Sequence, residues 1–596
     1  WVKRSNLTGT DQRYWGSSEG SGEGYNSLGF DGSNQLKVLS GNTTNSGTQL
    51  NFASNAVFRD TSAWYHIVLS VDTTVATSTD RLVLYVNGVR QTTSTYSPPG
   101  LNADTYLNQA LEHRIGRFGY NNFEHFLSGY LADVHFVDGQ ALDPTSFGET
   151  SNGGVWVPIA YSGSYGTNGW YLPFADSAAI GDDLSGNTND FTATNLAASD
   201  VVPDSPTNNF ATMNELQVQG PSQTAPYALS EGNLKMTSTA NNYAQMSGAM
   251  GVQSGKWYTE TYINSAGYPS WYIGWIARDR LTTFTGGNDF DGVTTGLGYF
   301  TGSNVYILDF GETNNVSTQV AYSGLHTAGD APTTGDIIGC AVDFDDRKVW
   351  WSINGEWVDV GSGAGDPANG TNPTSTYTSS DVADDAYKFA WQLGYASTTK
   401  TINFGQDSTF AGATTAGGNS DDNGIGDFKY APPSGFLALC SANLPEPTIG
   451  PNSGVGEQAD DYFNTVLWSG NSTNNRSITT GHATDLVWIK KRGTTVQSHV
   501  LADSVRGTSD NGGTGNNGIL SSNLANAEST NSSDSGIASF DSTGFTIGAG
   551  SNTANANAPY QGTNASGHTY VGWSWKAGTT FSGTTNGGKA YSGSSN

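Results

Sequence analysis

The chain has 596 residues, with 25 Lys and Arg against 53 Asp and Glu, which gives a formal net charge of −28. Such an acidic surface repels phosphate backbones, and we find no basic stripe with interleaved aromatic residues, so we expect no role on DNA or RNA. Glycine is abundant, with 77 residues, while only 13% of residues are charged, a composition that favours an all-β protein rich in turns over a helical one. The sequence has no run of 18 apolar residues, and we expect no membrane insertion.

Short segments that alternate apolar and polar residues run through the chain, separated by turns of Gly, Asn, Asp and Ser. Examples are WYHIVLSVD, RLVLYVNGV and YLADVHFVDG. A period of two is typical of strands with one buried face, and many such strands at short spacing predict tandem antiparallel β-sandwiches. The expected divisions are a first sandwich over 1–168, a connector over 169–226, a second sandwich over 227–410, a linker over 411–430 and a third β-rich domain over 431–596.

Cysteine usage sets a limit on how these domains are stabilised. The chain contains two cysteines, Cys340 and Cys440, and both lie in apolar stretches that read as strands. Neither a disulfide scaffold nor a zinc cluster can be built from them, so the domains must be stable by burial alone. The chain starts abruptly at WVKRSN, which reads as half of a strand, and it ends abruptly, so we expect the natural polypeptide to be longer at both ends.

The first 168 residues carry an ordered set of segments: FRDTSAWYHIVLSVDTT, DRLVLYVNGVRQ and HRIGRFGYNNFEHFLSGYLADVHFVDGQAL. This order resembles the laminin-G-like, concanavalin A-like lectin domain, which implies a jelly-roll sandwich. Asn87-Gly88 predicts a two-residue hairpin, because both residues tolerate the positive φ of a type I′ turn. Within this resemblance we expect Trp64 and His66 to pack in the core rather than to contact a ligand.

The connector contains an acidic loop with oxygen-bearing side chains at closely spaced positions. Hard cations such as Ca²⁺ prefer clustered carboxylate and carbonyl oxygens on a loop, so these residues form a candidate calcium site. In the alternative, the same side chains cap their own backbone in Asx turns. The candidate ligands are Asp183, Ser185, Asn187, Asn189 and Asp190.

From 227 to 410 the segments KWYTETYINS, SWYIGWIARD, GDIIGCAVDFDDRKVWWSINGEW and YKFAWQLGYASTTKTINFGQD occur in order. They resemble the SPRY domain, which implies a sandwich that binds through variable loops and has no catalytic residues. Several aromatic residues of these segments are candidates for an exposed platform that binds sugar or protein, although alternate members would fill the core. The candidate ligand-binding residues are Trp271, Tyr272, Trp350, Trp351 and Trp357.

The third region runs from FKYAPPSGFLALCSANLPEP through DLVWIKKR to HTYVGWSWKAGTT. It resembles a module of undefined activity that recurs in marine phage virion proteins, among them tail-fibre and other structural proteins. DLVWIKKR echoes the opening WVKRSN, so we expect another sandwich with a strand in the same place.

Motifs for catalysis are missing from the sequence. Glycoside hydrolases on concanavalin-type sandwiches often carry Glu-x-Asp-x-x-Glu on one strand, and this chain has no such string. It also lacks a Walker loop and His-Glu-x-x-His. We therefore expect a protein that is not an enzyme, with a depolymerase as the catalytic alternative.

The resemblances together imply a virion protein of a tailed bacteriophage: a fibre, spike or capsid-decorating protein at the virion surface, outside the cell. Its expected partners are other virion subunits and a host-surface glycan or protein. A trimer or array would add avidity through effective concentration. Two alternatives stay open: a secreted or cell-surface bacterial adhesin that binds polysaccharide or protein, and an assembly protein that contacts only other virion subunits.

Overall fold

The computed structural model confirms an all-β chain of antiparallel sheets, and no α-helix occurs among the residues that it describes. The described residues are 1–7, 9–18, 24–41, 48–120, 123–151, 154–219, 227–240, 244–265, 271–277, 293–300, 304–308, 332–359, 363–376, 386–393, 396–445, 461–493, 498–505, 519–523, 525, 536–549, 563–577, 581–584 and 590–593. Single 3₁₀ turns lie at Ser78–Asp80, Pro144–Ser146, Ala198–Asp200 and Ser441–Asn443.

The chain divides into two compact units. The first contains residues 1–149 and 156–444, and the second contains 150–155 and 445–596. The first unit holds two sandwiches.

The strands of the first sandwich are β1 (Val2–Arg4), β2 (Gln12–Ser18), β3 (Tyr25–Phe30), β4 (Gln35–Gly41), β5 (Thr48–Val57), β6 (Trp64–Tyr65), β7 (Ile67–Val71), β8 (Leu82–Val86), β9 (Val89–Arg90), β10 (Thr93–Ser97), β11 (Glu112–Ile115), β12 (Arg117–Tyr120), β13 (Phe123–Phe126), β14 (Gly129–Leu131), β15 (Val134–Phe136), β16 (Gly148–Thr150), β17 (Trp156–Pro158) and β18 (Trp170–Leu172).

A six-stranded antiparallel sheet, in the order β10-β5-β4-β3-β2-β11, forms the larger side of this sandwich. Smaller sheets, β14-β1-β6, β7-β8-β9 and β15-β18, supply the rest of the core. Alternation along the strands sends one row of apolar side chains inward, where Phe30 and Leu84 are fully buried with Trp170. The predicted hairpin at Asn87-Gly88 is confirmed, because Val86 pairs with Val89 and both turn residues have positive φ.

The strands of the second sandwich are β19 (Met213–Gln219), β20 (Tyr227–Ser230), β21 (Lys235–Ser238), β22 (Ala244–Gly248), β23 (Lys256–Ser265), β24 (Trp271–Ala277), β25 (Val293–Phe300), β26 (Asn304–Leu308), β27 (Ile337–Asp343), β28 (Lys348–Ile353), β29 (Glu356–Trp357), β30 (Ser375–Thr376), β31 (Tyr387–Leu393), β32 (Thr399–Asn403) and β33 (Leu437–Ala438).

Two sheets stack in the second sandwich, one in the order β19-β22-β31-β24-β25-β26 and the other in the order β20-β21-β32-β23-β27-β28-β29. The strand β28 shows how the second sheet is buried on both faces. Trp351 points into the core between the two sheets, and Trp350 points to the outer face, where it meets Phe428 and Phe436 in a second buried cluster. The outer cluster is built by the chain that follows β32.

The segment 411–430, predicted as a linker, contacts the second sandwich through Phe428, which is buried, and through its last two residues. The carboxylate of Glu260 accepts the backbone N–H groups of Lys429 and Tyr430, each at 2.8 Å, and so fixes the segment to β23. Beyond it, β33 pairs with β23 in parallel. The first unit accordingly extends to residue 444, rather than ending before 431 as predicted.

The boundaries of the predicted connector also differ from the structure. The strand β18 pairs with β15 and completes the first sandwich, while β19 pairs with β22 and belongs to the second. The true connector is the stretch 173–212. Turn-rich composition identified its middle, but pairing partners far along the chain decide where it begins and ends.

The strands of the second unit are β34 (Phe463–Ser469), β35 (Arg476–Thr479), β36 (Leu486–Arg492), β37 (Val500–Asp503), β38 (Ile519–Leu520), β39 (Ile537–Asp541), β40 (Gly544–Ile547), β41 (Thr569–Trp575), β42 (Phe581–Thr584) and β43 (Ala590–Gly593). A five-stranded sheet, β34-β41-β36-β37-β38, and a three-stranded sheet, β35-β40-β39, share one core that includes Val487, Phe545 and Tyr570.

Candidate functional site

A groove of about 1500 Å³ lies in the first unit, where the first sandwich, the connector and the second sandwich meet. Residues within 108–117 and 126–132 line it from the first sandwich, and residues within 168–181 and 189–205 line it from the last strand of that sandwich and the connector. Residues 231–234 contribute from the second sandwich. A groove at a junction between domains is a common place for a binding site, because surfaces from several elements converge there.

The lining of the groove mixes exposed aromatic, charged and amide groups. The ring of Phe126 is 57% exposed, and the guanidinium of Arg117, which pairs with Glu124, lies 5.4 Å from the ring centroid. Carboxylates enter from Asp200 and Glu231. An exposed ring can stack on a sugar ring, and polar side chains beside it can hydrogen-bond the sugar hydroxyls, so the groove suits a polar polymer better than an apolar molecule.

A buried polar group, which we call the junction cluster, holds the connector against the first sandwich. It consists of Lys3 on β1 with Asp204 and Asn209 of the connector. The Lys3 ammonium donates to Asp204 Oδ2 at 2.8 Å and to Asn209 Oδ1 at 2.7 Å, and the Lys3 and Asp204 side chains are both 0% exposed. Burial lowers the pKa of Lys3, although the Asp204 carboxylate opposes that shift.

The backbone of β14 lies close against β1 beside Lys3. At Gly129 on β14, φ is +149° and a Cβ atom would lie 2.1 Å from the Lys3 carbonyl oxygen, so only glycine fits beside β1. The next residue, Tyr130, donates its hydroxyl to the carbonyl oxygen of Gly232 in the second sandwich at 2.8 Å. The two sandwiches are thus joined by direct contacts as well as by the connector.

Two of the residues predicted for the aromatic platform, Trp350 and Trp351, are not accessible to a ligand. Trp350 and Trp351 are both 0% exposed, since they point to opposite faces of a strand that is covered on both sides. Trp357 is half-buried and meets the Tyr258 ring edge-on at 6.4 Å. The side chains of Trp271 and Tyr272 lie outside the described part of the chain, and their ligand role stays a prediction.

The acidic loop folds as the Asx-turn alternative predicts. The carboxylate of Asp183 accepts the backbone N–H groups of Tyr171, Ser185 and Asn189 at 2.8 to 2.9 Å, and also the Ser185 hydroxyl. Burial raises the pKa of Asp183, but these hydrogen bonds outweigh burial and lower the pKa below its ordinary value.

The other predicted calcium ligands are used in the same way. Asp190 accepts the backbone N–H of Asp183, and the amides of Asn187 and Asn189 both donate to the carbonyl oxygen of Gly169. Among the described residues, no three His, Cys, Asp or Glu side chains group as a metal site would require. The loop therefore supports its own backbone, and a calcium role for it stays a prediction.

Two histidines lie in an aromatic cluster that the sequence did not reveal. The His66 ring stacks on Trp1, with 4.5 Å between the ring centroids. His66 Nδ1 accepts a hydrogen bond from Trp156 Nε1 at 2.9 Å. His135 stacks on Tyr171 at 4.3 Å and hydrogen-bonds the Tyr165 hydroxyl. Burial lowers the pKa of each histidine to about 3, so both are neutral at physiological pH. The one sequence signal for this cluster was the segment Trp64-Tyr65-His66, which predicted that His66 packs in the core.

One serine and one histidine of the second unit lie at hydrogen-bond distance, but a substrate cannot reach them. Ser574 Oγ is 3.2 Å from His482 Nε2, and the two residues are 0% and 4% exposed. His482 Nδ1 faces the carbonyl oxygen of Ala483 rather than a carboxylate. The pair therefore lacks both the access and the third group that an activated nucleophile needs.

Comparisons with known protein families match both ends of the chain. Residues 1–146 match the concanavalin A-like lectin/glucanases superfamily. Residues 458–596 match a domain of unknown function. No curated protein matches the chain.

Solved structures of SPRY domains are also similar to part of the chain. The SPRY domain of human HERC1 is 16% identical, covers 32% of this chain and 96% of its own, and has a TM-score of 0.19. The TRIM65 PSpry domain is 12% identical, covers 32% of this chain and 89% of its own, and has a TM-score of 0.21. Within the described residues, no helix is both long and apolar enough to cross a membrane.

Proposed function

We propose that this chain is a non-catalytic binding protein that attaches to a neutral polysaccharide through the groove of its first unit. The groove is the observation that carries the proposal. It lies between a lectin-like sandwich and a second sandwich, and the exposed ring of Phe126 lines it among polar groups. The net charge of −28 disfavours an anionic polymer, and uncharged sugar rings escape that repulsion.

We further propose that the protein is displayed on the virion of a tailed bacteriophage, as a fibre, spike or capsid-decorating protein that binds the host surface. Support comes from the resemblance of the C-terminal module to modules of marine phage virion proteins. The two cysteines are free and buried, so the fold does not depend on a redox environment. The alternative is a bacterial adhesin that uses the same groove.

A glycan array with the purified full chain tests the groove. We expect neutral glycans to bind, and we expect the variant Phe126→Ala to lose at least tenfold in affinity because it removes the exposed ring. Leu101→Ala is the matched control, since Leu101 is 52% exposed and does not line the groove. Equal affinity in both variants, or preference for anionic glycans, would overturn the groove proposal.

Electron cryomicroscopy of particles from the source tests the location separately. Density for this chain in a symmetric appendage or coat supports the virion role, and it also shows whether the groove faces solvent or another subunit. A groove covered by a neighbouring subunit would favour an assembly role. Absence from particles together with presence on cells would establish the adhesin alternative.

A further inference from the structure

The junction cluster brings together three groups whose chemistry goes beyond a buried ion pair. The Lys3 amine lies 2.7 Å from the carbonyl oxygen of the Asn209 side chain and 2.8 Å from the Asp204 carboxylate. Since the C=O bond adds roughly 1.2 Å, the amine nitrogen lies within about 4 Å of the Asn209 carbonyl carbon. An amine in contact with both a carboxamide and a carboxylate brings together the reactants and the proton carrier for forming a new amide bond.

The surroundings hold this group in a fixed, water-poor setting. Trp64 Nε1 donates to Asp204 Oδ1 at 3.0 Å, and the Tyr130 ring lies 5.4 Å from the Lys3 nitrogen. Burial lowers the pKa of Lys3 and so makes the neutral, nucleophilic amine easier to reach than it is in water. Because the folded chain already holds the two groups in contact, the reaction avoids the entropy loss of bringing two free reactants together.

The orientation of Asn209 is also set by the structure. Its amide nitrogen donates to the carbonyl oxygen of Ser62 at 2.7 Å, which turns the carbonyl side of the group toward Lys3. The Lys3 amine has one further acceptor, the carbonyl oxygen of Phe210 at 2.9 Å. A buried ion pair needs only Lys3 and Asp204, whereas this arrangement also holds the Asn209 amide against the amine.

We propose that Lys3 and Asn209 form an intramolecular isopeptide bond, with Asp204 as the group that moves the protons. The bond would tie β1 of the first sandwich to the end of the connector across 206 positions of sequence.

The reaction balances without any co-reactant. A proton passes from the Lys3 ammonium to the Asp204 carboxylate, which leaves a neutral amine. The amine nitrogen attacks Cγ of Asn209, so that a C–N bond forms while the bond from Cγ to Nδ2 breaks. Asp204 gives its proton to Nδ2 and takes one from the Lys3 nitrogen in return, and Nδ2 departs as ammonia. Nothing is oxidised or reduced.

Mass spectrometry of the purified full chain tests the bond. We expect an intact mass lower than the sequence mass by one ammonia. Digestion with trypsin and Asp-N should release a branched peptide in which Lys3, uncleaved by trypsin and followed by Arg4, is joined to residues 204–235. Linear peptides that carry an unmodified Lys3 and an unmodified Asn209 would overturn the proposal. The branched peptide is decisive, because a succinimide at Asn87-Gly88 loses the same mass without joining two peptides.

Variants separate the chemistry from the fold. Asn209→Ala removes the reacting amide and leaves the ion pair of Lys3 with Asp204, so we expect a folded protein without the branched peptide. Asp204→Asn should fold, as judged by circular dichroism, and should also lack it. The matched control is Asn208→Ala, which should keep the cross-link in full. A cross-link that persists in Asp204→Asn would show that Asp204 does not carry the protons.

Discussion

The two histidines of the aromatic cluster predict that the first sandwich is sensitive to mild acid. His66 and His135 have a pKa of about 3 in the folded chain, against an ordinary value of 6.5 that applies once the chain unfolds. The folded state therefore binds fewer protons between these values, and stability that is complete above pH 6.5 falls as the pH drops toward 3.

The size of the effect follows from the two pKa values. At pH 4.5 an unfolded histidine is protonated and a folded one is not, and the difference of two pH units corresponds to about 2.7 kcal/mol for each histidine. The pair together should lower the free energy of unfolding by about 5 kcal/mol, which is comparable to the whole stability of a small domain. Acid near pH 4.5 should thus open the first sandwich.

Hydrogen exchange at pH 7.0 and pH 4.5, corrected for the intrinsic pH dependence, measures this loss in the peptides that cover 64–71 and 134–136. The control is the double variant His66→Gln with His135→Gln, in which glutamine keeps a hydrogen-bond acceptor but does not titrate. We expect the variant to be less stable at pH 7.0 and nearly independent of pH down to 4.5. An unchanged wild-type protection at pH 4.5, or an equal slope in the double variant, would refute the reasoning.

Three further predictions concern other buried groups. Trp350→Ala should lower the free energy of unfolding by about 3–5 kcal/mol, because it leaves a large cavity under the outer layer, and a denaturant midpoint equal to that of wild type would contradict the packing. Burial raises the pKa of Glu260 to about 7 from an ordinary 4.5, so its contribution is complete below pH 4.5 and declines as the pH rises through 7. The free energy of unfolding of the second sandwich, measured by denaturant titration between pH 5 and pH 8, should decrease as the pH rises. The Glu260→Gln variant should show a weaker dependence on pH. Asp183→Ala should lower the free energy of unfolding by roughly 2 kcal/mol, because it leaves backbone N–H groups unpaired. Thermal melting should show the same loss with and without Ca²⁺. A rise in the wild-type Tm on adding Ca²⁺ that is absent in the variant would instead establish the calcium site.

Local patterns predicted much of the fold. Alternation identified strands such as β7, β8 and β15, and Asn87-Gly88 marked its hairpin because turn chemistry depends only on the turn residues themselves. The same alternation predicted that one face of β28 would be buried, and it is. What the pattern could not show is that the second face is covered as well, which leaves both Trp350 and Trp351 inaccessible.

The cause of that failure is the segment 411–444. Its Gly, Asn and Asp residues are typical of a linker, but they are ordered here by partners distant in sequence, such as Glu260 on β23. Asp421 shows the same effect locally, as it accepts the backbone N–H groups of Asn423, Ile425 and Ala438. Residue composition predicts that a segment contains turns. It does not predict whether a carboxylate distant in sequence will hold those turns in one conformation.

The candidate sites were harder still, because their members are brought together only by the tertiary fold. Lys3 and Asp204 are about 200 residues apart, so no spacing motif connects them. The groove is formed by several separate stretches of chain for the same reason. The acidic loop was the one site with a local pattern, and that pattern had two physical interpretations from the beginning.

The pairing of β33 with β23 has a consequence for how the protein folds as it is made. Ala211, just before the first strand of the second sandwich, donates its N–H to the carbonyl oxygen of Leu439 at 3.0 Å, so residues near both ends of this sandwich meet. A nascent chain must therefore emerge past residue 439 before the outer sheet face is covered, and contacts of such high sequence separation form slowly. Until then Trp350 and Tyr258 stay open to water, so we expect chains truncated before residue 425 to aggregate or to be held by chaperones.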